Sequence, residues 1–173
     1  MAGRTTDTVP ARADPETGFS TRGFGISDPL IARRAVEHGV VRGWRDLEIT
    51  PTAGTIAKGA ELSIVWENYD LGDSTGSARY GVAVTVQREF KGLLPQIRAR
   101  IIGAYAAFAG VDRTEDRVVM RFERQMPHAR VVVDHVEIAL EDTPAGNYTL
   151  TLEITDRVTG KTTARRVPFV IRE

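Results

Sequence analysis

Several arrangements in this sequence bring together residue types that could do chemistry. Gly72-Asp73-Ser74-Thr75-Gly76 has the spacing G-x-S-x-G, in which a serine held on a sharp turn becomes a nucleophile. That chemistry needs a strand before the turn and a helix after it. Here Tyr80 to Val86 follow, and their alternation reads as a strand, so the segment is expected to be a polar hairpin loop. Gly160-Lys161-Thr162 resembles the end of a phosphate-binding loop, but the first glycine of that motif would fall where Thr155 stands, and a strand again follows. His128 and His135, with Asp134 adjacent and His38 far upstream, are ligand types for a metal. Positions seven apart on one strand face opposite sides, so these two are expected to be surface histidines. Asp70 with Asp73, and Asp112 with Glu115 and Asp116, could offer oxygen ligands to calcium, but neither set has the alternating acids and glycine of a dedicated loop. The expectation is no enzyme, no cofactor and no metal centre.

Composition narrows the partners. The 173 residues carry 23 lysines and arginines against 23 aspartates and glutamates, so no net field draws the chain to nucleic acid or an anionic membrane. The basic pairs Arg33-Arg34, Arg98 with Arg100, and Arg165-Arg166 lie near acids and lack interleaved aromatics; they suit solubility and protection of sheet edges. Cysteine is absent, which excludes disulfides and thiolate chemistry. No apolar run approaches the roughly 20 residues of a membrane helix, and a soluble chain is expected. Asn147-Tyr148-Thr149 fits a glycosylation sequon, read as chance because Tyr148 opens a strand and should point inward.

The elements that would position these residues are strands. Residues 1–22 hold almost no large apolar side chain and read as a flexible leader or linker. From Phe24 onward apolar residues recur with period two: Tyr148, Leu150, Leu152 and Ile154; Val167, Phe169 and Ile171; Val136, Ile138 and Leu140; Val118, Met120 and Phe122; Leu62, Ile64 and Trp66; Val82, Val84 and Val86; and Leu47 with Ile49 before Pro51. Asp156 to Lys161 supplies a turn in which Gly160 is free to take positive φ. Residues 97–109 fit either a helix or a strand, and the strand is favoured. Seven to nine strands at about ten-residue spacing predict one all-β domain over 23–173, an antiparallel immunoglobulin-like or fibronectin-III-like sandwich. Tyr148, just after Pro144-Ala145-Gly146, stands where such folds place a corner tyrosine, and Trp66 stands where a core tryptophan would.

Several segments resemble the C-terminal β-sandwich region of the bacterial GWxTD-domain proteins: Ile26-Ser27-Asp28-Pro29-Leu30, Ile49-Thr50-Pro51 with Gly59 and Leu62, Val65-Trp66-Glu67-Asn68-Tyr69-Asp70-Leu71, Phe122-Glu123-Arg124, and Pro144-Ala145-Gly146-Asn147-Tyr148-Thr149-Leu150. The resemblance spans about residues 24–171. The motif that names the family is absent, since Gly43-Trp44-Arg45-Asp46 lacks its threonine. The resemblance implies an accessory sandwich from an exported or envelope-associated bacterial protein, hence an extracytoplasmic location.

With no convergent acid, base or nucleophile set, the expected function is a non-enzymatic binding or structural module that contacts another protein or a neighbouring domain. Its contacts would come from the loops Asp70 to Ala78 and Gly110 to Asp116, through Asp70, Asp73, Asp112 and Asp116, and from the exposed aromatics Trp44 and Phe90. The alternative is a carbohydrate-binding module stabilised by calcium, which would stack exposed rings on sugar faces.

Overall fold

The computed structural model describes residues 23–89, 100–102, 110–114, 117–141 and 143–173. Within them lie twelve strands: β1 (Gly25–Ile26), β2 (Leu30–Glu37), β3 (Leu47–Pro51), β4 (Thr55–Ala57), β5 (Glu61–Tyr69), β6 (Ser77–Arg88), β7 (Arg100–Ile102), β8 (Gly110–Arg113), β9 (Arg117–Pro127), β10 (Val131–Ala139), β11 (Gly146–Asp156) and β12 (Thr162–Arg172). The leader over residues 1–22, Phe90, Asp116 and most of the ambiguous stretch 97–109 lie outside the described residues. Of that stretch, Arg100–Ile102 is a strand.

The strands form two sheets. The first has the order β3-β2-β5-β10-β7, with β1 also paired to β5. The second has the order β4-β12-β11-β6-β9-β8. Every pairing is antiparallel except that of β4 with β12, which is parallel. The architecture is therefore an all-β sandwich with more strands than the seven to nine expected. The additional ones have physical reasons to escape notice. Strands β1, β4, β7 and β8 have two to four residues, too few to establish a period. Strand β2 is longer, but its register on β3 shifts between Ala32 and Arg34, and a bulge breaks the alternation that would have marked it.

The sandwich closes on the inward rows that the alternation identifies. From the second sheet come Tyr80, Val82, Val84 and Val86 of β6, Val118, Met120 and Phe122 of β9, and Tyr148, Leu150, Leu152 and Ile154 of β11. Facing them are Leu62, Ile64 and Trp66 of β5 with Val132, Val136 and Ile138 of β10. Burial of this apolar surface is the main driving force for pairing the sheets. A smaller cluster, Ala35, Leu47, Val65 and Val133 with Val41 and Ile49, packs on the opposite face of the first sheet. The segment from β2 to β3, which carries a short 3-10 turn at Trp44–Asp46, thus covers part of that face and makes β5 two-sided.

Two aromatic expectations are met in detail. Trp66 is fully enclosed, and its indole N–H donates to Asn68 Oδ1 at 3.1 Å. The Tyr148 hydroxyl donates back to the Pro144 carbonyl at 2.7 Å, and its ring stacks on Phe169 with centroids 5.5 Å apart. That bond pins the corner before β11, satisfying a carbonyl at the point where the chain enters the sheet.

Candidate functional site

The loops at one end of the sandwich are held by Asp156, at the end of β11. Its carboxylate accepts from the Gly72 N–H at 3.0 Å, the Val158 N–H at 2.9 Å and the Thr159 hydroxyl at 2.6 Å. Burial pushes this carboxyl up, but the donors from Thr159, Val158 and Gly72 together take it below the usual carboxylate range. Loop 70–76 is thereby tied to loop 157–161. Ser74 pairs backbone to backbone with Ser77, Thr75 has a φ of 54°, and β6 begins at Ser77. The G-x-S-x-G segment is thus a tight turn leading into a strand. Gly160 takes its expected positive φ, 71°, in the β11–β12 turn.

The residues proposed as contacts do not form one surface. Asp70 and Asp73 lie in the loop at this end, where Asp70 stands 3.8 Å from Arg130 and Asp73 accepts from the Gly76 N–H. Asp112 belongs to β8, a strand at the edge of the second sheet where a loop was expected, and is paired with Arg121. It sits opposite Val119, whereas Pro127 marks the end that carries Asp70 and Asp73. At about 3.3 Å per residue, the eight steps from 119 to 127 put these acids on the order of 26 Å apart along the strands. His128 is bonded through Nε2 to the Leu71 carbonyl at 3.1 Å, and among the described residues no three histidine, aspartate or glutamate side chains gather as metal ligands.

The most unusual electrostatics are inside the sandwich. Asp134 of β10 occupies the inward position between Val132 and Val136, and Arg124 of β9 continues the inward row of Phe122. Their side chains are 0% and 6% exposed and meet in a two-pronged pair, with Arg124 Nε at 2.8 Å from Asp134 Oδ2 and its Nη2 on Oδ1. The Tyr80 hydroxyl donates to Oδ2 at 2.6 Å, and the His135 amide donates to Oδ1 at 2.7 Å. Burial pushes the Asp134 carboxyl up, against the lowering pull of the Tyr80 and His135 donors, and it lowers the Arg124 guanidinium. These groups lock β6, β9 and β10 together across the two layers.

His135 lies just outside this network, with its imidazole 3.7 Å from Glu37. Burial holds it below the usual histidine value, while Glu37 acts in the opposite sense. The neutral ring is therefore the form the fold favours. Its contribution is complete above the unfolded value of about 6.5 and is lost as pH falls through the lower native value. In thermal melts between pH 7.5 and pH 4.5, the wild-type chain is expected to lose more stability than His135→Gln. Equal losses would remove His135 as a source of the acid sensitivity.

Two surface features remain. On the outer face of the second sheet, Gly81 and Ala83 of β6 floor a shallow trough walled by Arg121 and Glu123 of β9 and by Glu153 and Thr155 of β11. Arg157 lies across Gly81, bonded to Glu123; a β-carbon at position 81 would come within 2.6 Å of its guanidinium, which would have to shift. On the outer face of the first sheet, Trp44 is 39% exposed and its indole N–H donates to Glu67. The Tyr69 hydroxyl donates to the other oxygen of the same carboxylate. Burial first, and then the bond and charge of Glu67 and the charge of Asp28, push the Tyr69 phenol up to about 12.

No protein-family model matches this sequence, and no curated protein matches it. Among solved structures the chain is similar to AvmM, which catalyses macrocyclization in alchivemycin A biosynthesis, with a TM-score of 0.42 and 10% identity over 70% of this chain and 85% of that one. It is also similar to a family 123 glycoside hydrolase from Clostridium perfringens, with a TM-score of 0.39 and 10% identity over 69% of this chain and 23% of that one. A third similarity is to BcpA, the major pilin subunit of Bacillus cereus, with a TM-score of 0.33 and 11% identity over 84% of this chain and 40% of that one. At these values none transfers a function.

Proposed function

We propose that this chain is a non-enzymatic structural or binding β-sandwich module that makes protein–protein or interdomain contacts. The observation that carries the reading is where the displaced titratable groups sit. Asp134, Arg124 and Tyr80 lie between the sheets and Asp156 holds loops, so these environments serve the framework, while the displaced Tyr69 phenol marks the outer face of the first sheet. What is left on the surface is a β-sandwich frame with polar loops and open sheet faces. That frame suits contact with a second protein surface. The resemblance to the GWxTD-domain proteins supports placing the module in an exported or envelope-associated bacterial protein.

The test has two arms. Affinity capture with the purified chain, followed by calorimetry against the purified candidate, is expected to give saturable binding to a defined protein. Labelling of Ser74 by a fluorophosphonate, or turnover of any ester by the purified chain, would overturn the reading. The second reading, a carbohydrate-binding module, is favoured by the half-exposed ring of Trp44. Saturable binding on a glycan array, with or without calcium, would move the assignment to it.

A further inference from the structure

The exposed apolar side chains of this molecule are not scattered evenly. Six large ones are exposed among the described residues, and three of these, Leu30 at 37%, Trp44 at 39% and Val131 at 38%, belong to one region of the first sheet. The registers place them. Leu30 of β2 pairs with Val65, and Val131 of β10 pairs with Tyr69, both partners being outward positions of β5 on the same face as Glu67. Paired residues on antiparallel strands project from the same face. Leu30, Tyr69 and Val131 therefore surround Glu67, and the indole of Trp44 reaches the same carboxylate from the 3-10 turn. Two strand spacings across and four residue steps along separate Leu30 from Val131, on the order of 16 Å, the length of about five residues of extended peptide.

At the centre of this apolar ring is a charge. Glu67 has no cationic partner among the described residues; its two oxygens accept from the Trp44 and Tyr69 side chains, both neutral donors. Asp28 adds a second negative charge nearby, and Arg165 compensates it only at 3.5 Å. Both aromatic rings are fixed by their bonds to Glu67, which lowers the ordering cost of binding against them. A carboxylate flanked by aromatic rings and rimmed by aliphatic side chains complements a lysine or arginine head with apolar neighbours: the charge meets Glu67, the stem lies along the rings, and the neighbours cover Leu30 and Val131. The aliphatic rim offers nothing to sugar hydroxyls. We propose that this face binds a protein segment that presents a lysine or arginine between apolar side chains. The inference rests on the reading of the chain as a protein-contact module and names its contact surface.

A phage-displayed library of random dodecapeptides, panned on the full chain, tests it. Enriched peptides are expected to carry a basic residue flanked by apolar ones. Synthetic versions are expected to lose at least tenfold in affinity on Glu67→Gln or Trp44→Ala, and to be unchanged on Lys58→Gln, just past β4 at an edge of the other sheet. Leu30→Ser at the rim gives an independent reading should either central variant fail to melt cooperatively. Peptides that bind Glu67→Gln, Trp44→Ala and the wild type alike would overturn this site while leaving a protein-contact role standing. Enrichment without a basic residue, glycan binding abolished by Trp44→Ala, or a dimer in sedimentation that Trp44→Ala dissolves would each overturn the proposed occupant. No enrichment, together with no captured protein, would sink the underlying reading as well.

Discussion

Asp134→Ala is expected to cost about 3–5 kcal/mol of unfolding free energy, because removing one member of a buried ion pair leaves the other charge enclosed without compensation. The Arg124 side chain is 6% exposed, so water could replace the lost carboxylate only in small part. Tyr80 would lose its carboxylate acceptor and keep its interaction with Arg124 and a weak contact to Met126 Sδ at 3.4 Å. For a domain of this size the loss corresponds to a fall in melting temperature of roughly 10 °C. Urea unfolding at pH 7 measures it directly, and a loss below about 1 kcal/mol would show that the network is not a structural lock. A companion variant separates charge from packing. Replacing the three groups together, as Asp134→Leu, Arg124→Met and Tyr80→Phe, is expected to restore most of the stability, since a buried pair and a well-packed apolar set are often close in free energy.

Trp66→Ala is expected to cost a similar amount, about 3–5 kcal/mol, through the cavity left by a large fully buried ring and the exposure of its surroundings to poor packing. The substitution also removes the indole donor from Asn68, a buried side chain whose other bond is to the Val132 carbonyl at 3.4 Å. Chemical denaturation should show a lower midpoint with an unchanged slope, the signature of lost stability without a changed unfolded state. A loss under about 1.5 kcal/mol would mean that β5 collapses around the gap. Domains of this kind have only about 5–15 kcal/mol in total, so combining either variant with a second core change is expected to leave the chain largely unfolded.

The same period-two rule that marks the core strands also marks the interior network. Val132, Val136 and Ile138 define an inward row, and Asp134 falls on it; Val118, Met120 and Phe122 define another, and Arg124 extends it. A charged residue on an inward row must find a partner on a facing one, so the pair was legible as two oddities. What local pattern could not supply was their meeting. Ten residues and a strand reversal separate Arg124 from Asp134, and the two strands lie in different sheets. Along the chain Asp134 is a neighbour of His135, and a metal reading built on that adjacency overlooks its inward row.

The contact surface illustrates the opposite case. Trp44 was identified as an exposed aromatic, and it is one. Its companions Glu67 and Tyr69 lie more than twenty positions away and look like ordinary outward residues of β5. Leu30 and Val131 are unremarkable until the registers of β2 and β10 set them on the same face.

By itself the sequence determined the sandwich, the principal rows of its core, the Tyr148 corner, the enclosed Trp66 and the turn at Gly160, because each follows from side-chain alternation or from turn residues a few positions apart. The tertiary structure alone decided the bulged β2 and the short edge strands, the union of Tyr80, Arg124 and Asp134, the splitting of the loop acids between distant parts of the molecule, and the gathering of apolar side chains around Glu67. Those features depend on which strands become neighbours and in what register. Pairing is fixed by the burial of whole faces at once, and so lies beyond any local stretch of chain.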